Sequence, residues 1–171
     1  MLFRSPGFLA DVARAWEAGT SPLAAAGARV VHLRIGVVLD RHGGALARML
    51  LPFRLGLGGP LGSGKQYLSW ITLPDLIAAI TFLLERDDAR GAFNLVSPQP
   101  VDNRTFARAL GTALHRPAVL PAPAFALRLV LGQMAVELLL SSQRVLPQRL
   151  QQLGFRWQHD QLDRALAAVL A

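Results

Sequence analysis

The run Arg29-Val-Val-His-Leu-Arg-Ile-Gly-Val-Val-Leu39 constrains this chain more than any other stretch. It is almost continuously apolar and rich in β-branched residues, a pattern that suits a strand covered on both faces of a parallel sheet and not one that alternates between core and water. Only one other run is comparable, Ala92-Phe-Asn-Leu-Val96. Two separated strands make an incomplete parallel sheet, so the expected class is α/β with the earlier strands of the sheet lying outside these residues.

Around the two strands the apolar spacing predicts helices. Gly7 to Ala18 reads as an amphipathic helix stopped by Gly19. Ala45 to Leu55 carries Leu46, Met49, Leu50 and Phe53 on one side, with Pro52 expected to end or bend it. Tyr67 to Ile71 is short and extended in character. Thr72-Leu-Pro-Asp75 then starts a helix running to Glu85, with Thr72 as cap and the Asp75 carboxylate near the free amides. That helix is apolar nearly all round and is expected to be buried. Asp102 or Asn103 caps the next, with Phe106, Leu110, Ala113 and Leu114 turned inward. Prolines 117, 121 and 123 give an extended connector, followed by a Leu-rich helical stretch through Leu140 and a short helix from Pro147 to Leu153. Phe155-Arg-Trp157 reads as extended, and Asp160 is expected to cap a last helix bearing Leu162, Leu166, Val169 and Leu170. A division into residues 1–98, the incomplete α/β part with a Gly-rich insertion at about 41–71, and a helix-rich 99–171 follows from this order.

Composition removes several function classes. There is no cysteine, so disulfides, thiolate nucleophiles and cysteine metal sites are excluded. His32, His42, His115 and His159 are too far apart in sequence to suggest a ligand pair, and no metal site is expected. The net charge of +7 comes from eighteen basic and eleven acidic residues, but the basic ones lie singly, which argues against nucleic acid as a partner. Asp11 and Glu17 interrupt what would be the apolar core of an export signal. Pro121, Pro123, Arg128, Gly132 and Glu137 break the most apolar region, so no membrane span is expected and a cytoplasmic protein is.

The chemistry-bearing stretch is Gly56 to Trp70, GLGGPLGSGKQYLSW, with five glycines and the chain's one lysine. Gly59, Gly64 and Lys65 satisfy the spacing G-x-x-x-x-G-K of a phosphate-binding loop. Such a loop works when a buried strand feeds directly into a helix whose free amides meet the phosphates. Neither flank fits: Leu55-Gly-Leu-Gly58 is no central strand, Gln66-Tyr-Leu-Ser-Trp70 favours extension, and Gln66 stands where Ser or Thr would hold magnesium. The dinucleotide fingerprint G-x-G-x-x-G also lacks its flanks, no G-x-S-x-G surrounds a serine, and the adjacent Asp87 and Asp88 suit a solvated turn. A nucleotide-binding loop remains the weakest reading. Another is a non-catalytic module in which Phe125 to Leu140 pairs with a second copy, against which Arg128 and Glu137 leave a polar side suited to packing within one domain.

Taken together, Gly62-Ser-Gly64, Gln66, Trp70 and Thr72-Leu-Pro-Asp75 leading into an apolar helix resemble the pattern G-D-G-x-Q-x-R-D-F-x-x-V-x-D-L of extended short-chain dehydrogenase/reductases, the NAD-dependent epimerase/dehydratase family. The runs GGALARMLLPFRLGLGGPLGSG, SWI, FARALGTALHRPAVLPAPAFALRLVLGQMA and SSQRVLPQRLQQLGF are similar to its sugar-nucleotide epimerase-like subgroup, which ends in a small helical domain of unknown function. The resemblance covers nearly the whole chain from Gly7.

It implies the C-terminal portion of a Rossmann-type parallel sheet, two late strands with their helices, followed by a small, mainly helical substrate-side domain. It implies NAD or NADP as cofactor of the complete relative, with Arg34, Ile35, Gly36 and Val37 at the nicotinamide end. A small-molecule substrate would meet Gly58, Gly59, Pro60, Leu61, Gly62, Ser63, Gly64, Lys65, Gln66, Ser69 and Trp70. The family's glycine-rich phosphate turn and Tyr-x-x-x-Lys pair are not among these residues: the one tyrosine, Tyr67, has Ile71 four residues on. No catalytic residue is therefore assigned, and this chain alone is expected to be inactive and to hold no dinucleotide tightly. Leu68 and Ser69 stand where the family has the arginine and aspartate next to a sugar-nucleotide diphosphate.

Overall fold

A computed structural model of the chain describes residues 8–122 and 141–171. The Leu-rich stretch proposed as a pairing surface falls outside the described residues. In chain order the elements are α1 (Phe8–Ala18), α2 (Ser21–Ala25), β1 (Val31–Ile35), β2 (Val37–Leu39), α3 (Gly44–Arg54), β3 (Tyr67–Leu68), β4 (Trp70–Thr72), α4 (Leu73–Leu84), β5 (Gly91–Leu95), β6 (Val101–Asp102), α5 (Asn103–Ala113), α6 (Gln148–Gln152) and α7 (Leu162–Leu170).

The long apolar run becomes two strands because it changes partner at Gly36. β1 pairs in parallel with β5, Val31 opposite Gly91 through Ile35 opposite Leu95. The Gly36 N–H still donates to Leu95 O at 3.2 Å, but the Val37 N–H donates to Ser69 O at 2.8 Å, and β2 then pairs in parallel with β4. A Cβ at position 36 would lie 2.6 Å from Ser69 O and 2.7 Å from Val96 Cγ1, so only glycine lets the three chains meet there.

The β2/β4 pair is sandwiched, as the two-residue alternation of a strand requires. Leu39 and Trp70 enter one apolar cluster with Leu46, Leu50 and Phe53 of α3, Phe106 and Leu110 of α5, and Leu166 of α7. Ile71 enters the other with Leu76, Ala79 and Leu83 of α4, Phe93 and Leu95 of β5, Leu150 and Phe155. The last helix thus belongs to the same core as α3. Burying Trp70 or Phe106 is worth about 2–3 kcal/mol each.

Several expectations need correction. β1 is not covered on both faces: Leu33 is 39% and Ile35 49% exposed, although Phe93 and Leu95 opposite them are buried. Of β1 only Val31 packs against the second cluster, and among the described residues β1 has no partner along its other edge. α4 is not buried all round either, since Ile77 and Leu84 point to water while Leu76, Ala79 and Leu83 face the core. Pro52 does not end α3, which continues to Arg54 with the proline on its exposed side. Phe155 to Trp157 forms no ladder; Phe155 packs on Phe82 at 5.4 Å and edge-on to Trp157 at 4.9 Å between ring centroids. Asp160 is not the cap of the last helix, where Gln161 holds the capping position without a side-chain bond.

Thr72 and Asp102 do cap, accepting from Asp75 N at 3.3 Å and Thr105 N at 2.7 Å. Asp75 reaches further than its helix: its buried carboxylate accepts from the Gln158 and His159 amides at 2.8 and 3.0 Å and from the Thr72 hydroxyl at 3.0 Å. This ties the start of α4 to the segment entering α7. No helix among the described residues is long and apolar enough to cross a membrane.

Candidate functional site

The residues singled out in the sequence fall in two separate places. The first is a cavity of about 250 Å³ at the C-terminal end of β1, walled by Trp16 and Glu17 of α1, Arg34 and Ile35 of β1, Ser69 and Val145. Gly36 also lines it; Val37 does not. The ends of parallel strands where partners diverge are where open α/β sheets bind ligands, and here the divergence at Gly36 opens the space.

One wall is electrostatically fixed. Arg34 donates from Nε and Nη2 to the two carboxylate oxygens of Glu17, both at 2.8 Å. His32 stands beside the pair, Nδ1 3.5 Å from Glu17 Oε2 and Nε2 2.9 Å from Thr20 Oγ1. Hydrogen bonding by Arg34 outweighs partial burial and holds the Glu17 carboxyl below its ordinary range; the same bond raises Arg34. A carboxylate so held is a poor proton acceptor, so this wall can orient a ligand but is badly suited to general-base work. Ser69 also lines the cavity, and its hydroxyl donates to Gln143 O at 2.7 Å and accepts from Val145 N at 2.8 Å.

The second place is the Gly-rich loop. Gly58 and Gly59 are buried, and a Cβ on Gly59 would lie 2.1 Å from Leu120 O. The Leu61 amide donates to Asn103 Oδ1 at 2.7 Å, and Gln66 Nε2 returns to Leu61 O at 2.9 Å. Gly62 and Gly64 have φ of 55° and 68°, the left-handed region that favours glycine, and the turn they make lies on α5, with Arg104 N donating to Gly64 O at 3.0 Å. Ser63 and Lys65 are exposed, and Ser63 Oγ accepts from Lys65 N at 3.3 Å. Pro60 lines a different cavity, with Arg104, Arg108 and Arg116. Trp70 is fully buried, its indole N–H donating to Gln99 O at 3.0 Å. Of the fifteen residues taken from the resemblance, Arg34, Ile35, Gly36 and Ser69 are brought together.

Sequence reading missed Glu17, His32, Asn94, Gln143 and Val145, which complete the first cavity. Glu17 precedes Arg34 by seventeen residues and Gln143 follows Ser69 by seventy-four, separations that no local pattern encodes. Among the described residues no group of three His, Asp or Glu is placed to hold a metal ion.

Residues 122–169 match the Domain of unknown function (DUF1731). The chain is 43% identical over 163 residues to an epimerase family protein of Staphylococcus aureus, covering 95% of this chain and 54% of that one. The human epimerase family protein SDR39U1 (isoform 2), solved with NADPH, superposes with a TM-score of 0.86 at 39% identity, over 97% of this chain and 57% of that one. The chain is similar to the C-terminal part of NAD-dependent epimerase-like proteins that carry this domain of unknown function. A nucleoside-diphosphate sugar epimerase from Corynebacterium glutamicum superposes with a TM-score of 0.78 at 31% identity, over 97% of this chain and 31% of its own. The chain spans about half the length of the epimerase family proteins it first matches, 54% of the Staphylococcus aureus relative. The fold is the mixed α/β, Rossmann-like arrangement of these epimerase structures.

Proposed function

We propose that this chain is the substrate-side end of a cytoplasmic NAD(P)-dependent epimerase-like oxidoreductase, and that alone it neither turns over substrate nor holds a dinucleotide tightly. In this reading residues up to about 98 complete the sheet at the nicotinamide end, and residues 99–171 form the substrate-side part. The complete protein acts on a small molecule, and the Gly-rich loop with Ser69 and Trp70 shapes its binding.

The observation that carries the proposal is the cavity at the end of β1. At about 250 Å³ it is below the range of pockets that take whole drug-sized ligands, but it suits a single ring. Ile35 offers an apolar surface there, half-exposed, and Arg34 is held in place by Glu17. The Gly36 and Val37 amides are already used in the sheet, so contacts would come from side chains and carbonyl oxygens. When bound, the nicotinamide supplies or accepts hydride. This chain's residues would position it and exclude water.

The test joins the part of the Staphylococcus aureus relative that this chain does not match to the 171-residue chain, and follows NADPH fluorescence. The isolated chain is expected to show no saturation below about 1 mM, while the chimera binds as the parent does and Ile35→Glu weakens it by about tenfold, the loss of roughly 1.4 kcal/mol of contact. Tight binding by the isolated chain, or a folded chimera blind to NADPH, overturns the proposal.

A further inference from the structure

The outer side of α3 and the turn after it carry apolar side chains that nothing among the described residues covers. Leu46, Leu50 and Phe53 face the core, which leaves Arg48, Leu51 and Leu55 in one stripe on the opposite side of the helix. Leu51, Leu55 and Leu57 are 67%, 65% and 61% exposed. We propose that this face seats on the surface of an anionic lipid membrane, independently of the nicotinamide-end reading.

The fold sets a second apolar segment beside the first. Gly56 ends α3 at φ 74°, and the Leu57 N–H reaches back to Pro52 O at 2.9 Å. Arg116 Nε donates to Arg54 O at 3.0 Å and the Leu120 N–H to Gly58 O at 3.2 Å, which fastens residues 116–120 along that turn. Val119 and Leu120 are 72% and 49% exposed there. Single exposed leucines are ordinary on a protein surface, but apolar side chains joined in this way form a patch, and such a patch marks contact with another body.

Charge decides which body. Between Asp40 and Asp75, and again between Asp102 and Glu137, there is no acidic residue, while each stretch holds four basic ones. The bond from Arg116 to Arg54 lays these two stretches side by side, so Arg48, Arg54 and Arg116 stand among the leucines. Among the described residues none of the three is in an ion pair. A second copy of the chain meeting the same patch would oppose like charges. Nucleic acid would satisfy the guanidiniums but leave the leucines against sugar and phosphate, with no exposed aromatic ring in the patch to stack on a base. An acidic protein would need its own apolar patch in matching relief. The interface of an anionic bilayer offers negative headgroups directly above an apolar layer over any area, and the long arginine stems let the guanidiniums stay among headgroups while leucines enter. The leucines are also apart from the cavity at the end of β1, which none of them lines.

Sedimentation with sucrose-loaded vesicles tests the proposal on the 171-residue protein. Binding to phosphatidylcholine vesicles with about 30% phosphatidylserine is expected, and none measurable to phosphatidylcholine alone. Leu51→Ser with Leu55→Ser should weaken it by about tenfold or more, through lost apolar insertion. Arg48→Gln should weaken it about fivefold, as for one cation removed from near the surface. Ile77→Ser with Leu84→Ser, exposed on α4, should leave it unchanged. All these positions are exposed, and circular dichroism checks that the variants fold. The chimera with the unmatched part of the Staphylococcus aureus relative should sediment as the chain does. No binding to anionic vesicles, equal binding to neutral ones, or equal loss in the α3 and α4 variants overturns the proposal. So does a folded chimera that stays in solution, which would assign the face to the rest of the protein. A DNA oligonucleotide or poly-glutamate peptide that displaces the protein from vesicles, with an affinity unchanged by the leucine substitutions, overturns it in favour of an acidic macromolecule.

Discussion

The end of β1 and the Gly-rich loop are opposite solutions to placing a glycine beside a strand. At β1 one glycine lets a strand leave one partner for another, and the divergence opens a cavity rimmed by exposed Leu33 and Ile35. In the loop, five glycines close the chain down on α5 and on residues 120–122 until Gly58, Gly59 and Gly64 are buried. Glycine richness therefore marks close packing here, and the open, ligand-sized space stands where a single glycine interrupts an apolar run.

The sharpest way to break this contrast is Gly59→Ala. Its Cβ would meet the Leu120 carbonyl, which is backbone and cannot turn aside, so a loss of about 3 kcal/mol is expected in urea denaturation. A loss under about 0.5 kcal/mol would mean that the loop is loosely seated. Ser69→Ala probes the boundary between the two regions. It leaves the Val145 amide without its acceptor, and about 1–3 kcal/mol should go, with faster exchange at the Val145 amide as the readout. Unchanged exchange there would separate the 143–145 segment from the cavity wall.

The smallest effect is on the β1 side. Because the folded Glu17 has a lowered pKa, its pair with Arg34 stabilises above the unfolded carboxyl value near 4.5 and fades as pH falls through the folded one. The pair is part-exposed, so Glu17→Gln should cost no more than about 1 kcal/mol at neutral pH. It should also flatten the acid limb of the stability profile below about pH 5. An unchanged acid limb would show that α1 is held by its apolar side alone.

Sequence patterns made the elements readable where period and cap agree. α5 is the clear case, with Asp102 bonded to Thr105 N and Phe106 and Leu110 inside. Gly36 was invisible as a break, because a glycine between β-branched runs reads through as strand. Asp75 was placed at its helix start, but its partners lie eighty-three and eighty-four residues away, a distance across which sequence carries no local signal. Asn103 was weighed as a cap; it serves the Leu61 amide instead. The full burial of Trp70 was not legible either, since an indole next to a glycine loop has the same composition whether it faces in or out.

The loop from Gly58 to Ser69 also holds both sides of the stretch 123–140. Leu120 and Ala122 donate to Gly58 O and Pro60 O, Gly62 donates back to Ala122 O, and past the stretch Gln143 donates to Tyr67 O while the Ser142 hydroxyl accepts from Tyr67 N. Residues 120–122 and 142–143 are thus fastened to one segment, as two rivets through one plate, so loosening residues 58–69 would free both at once.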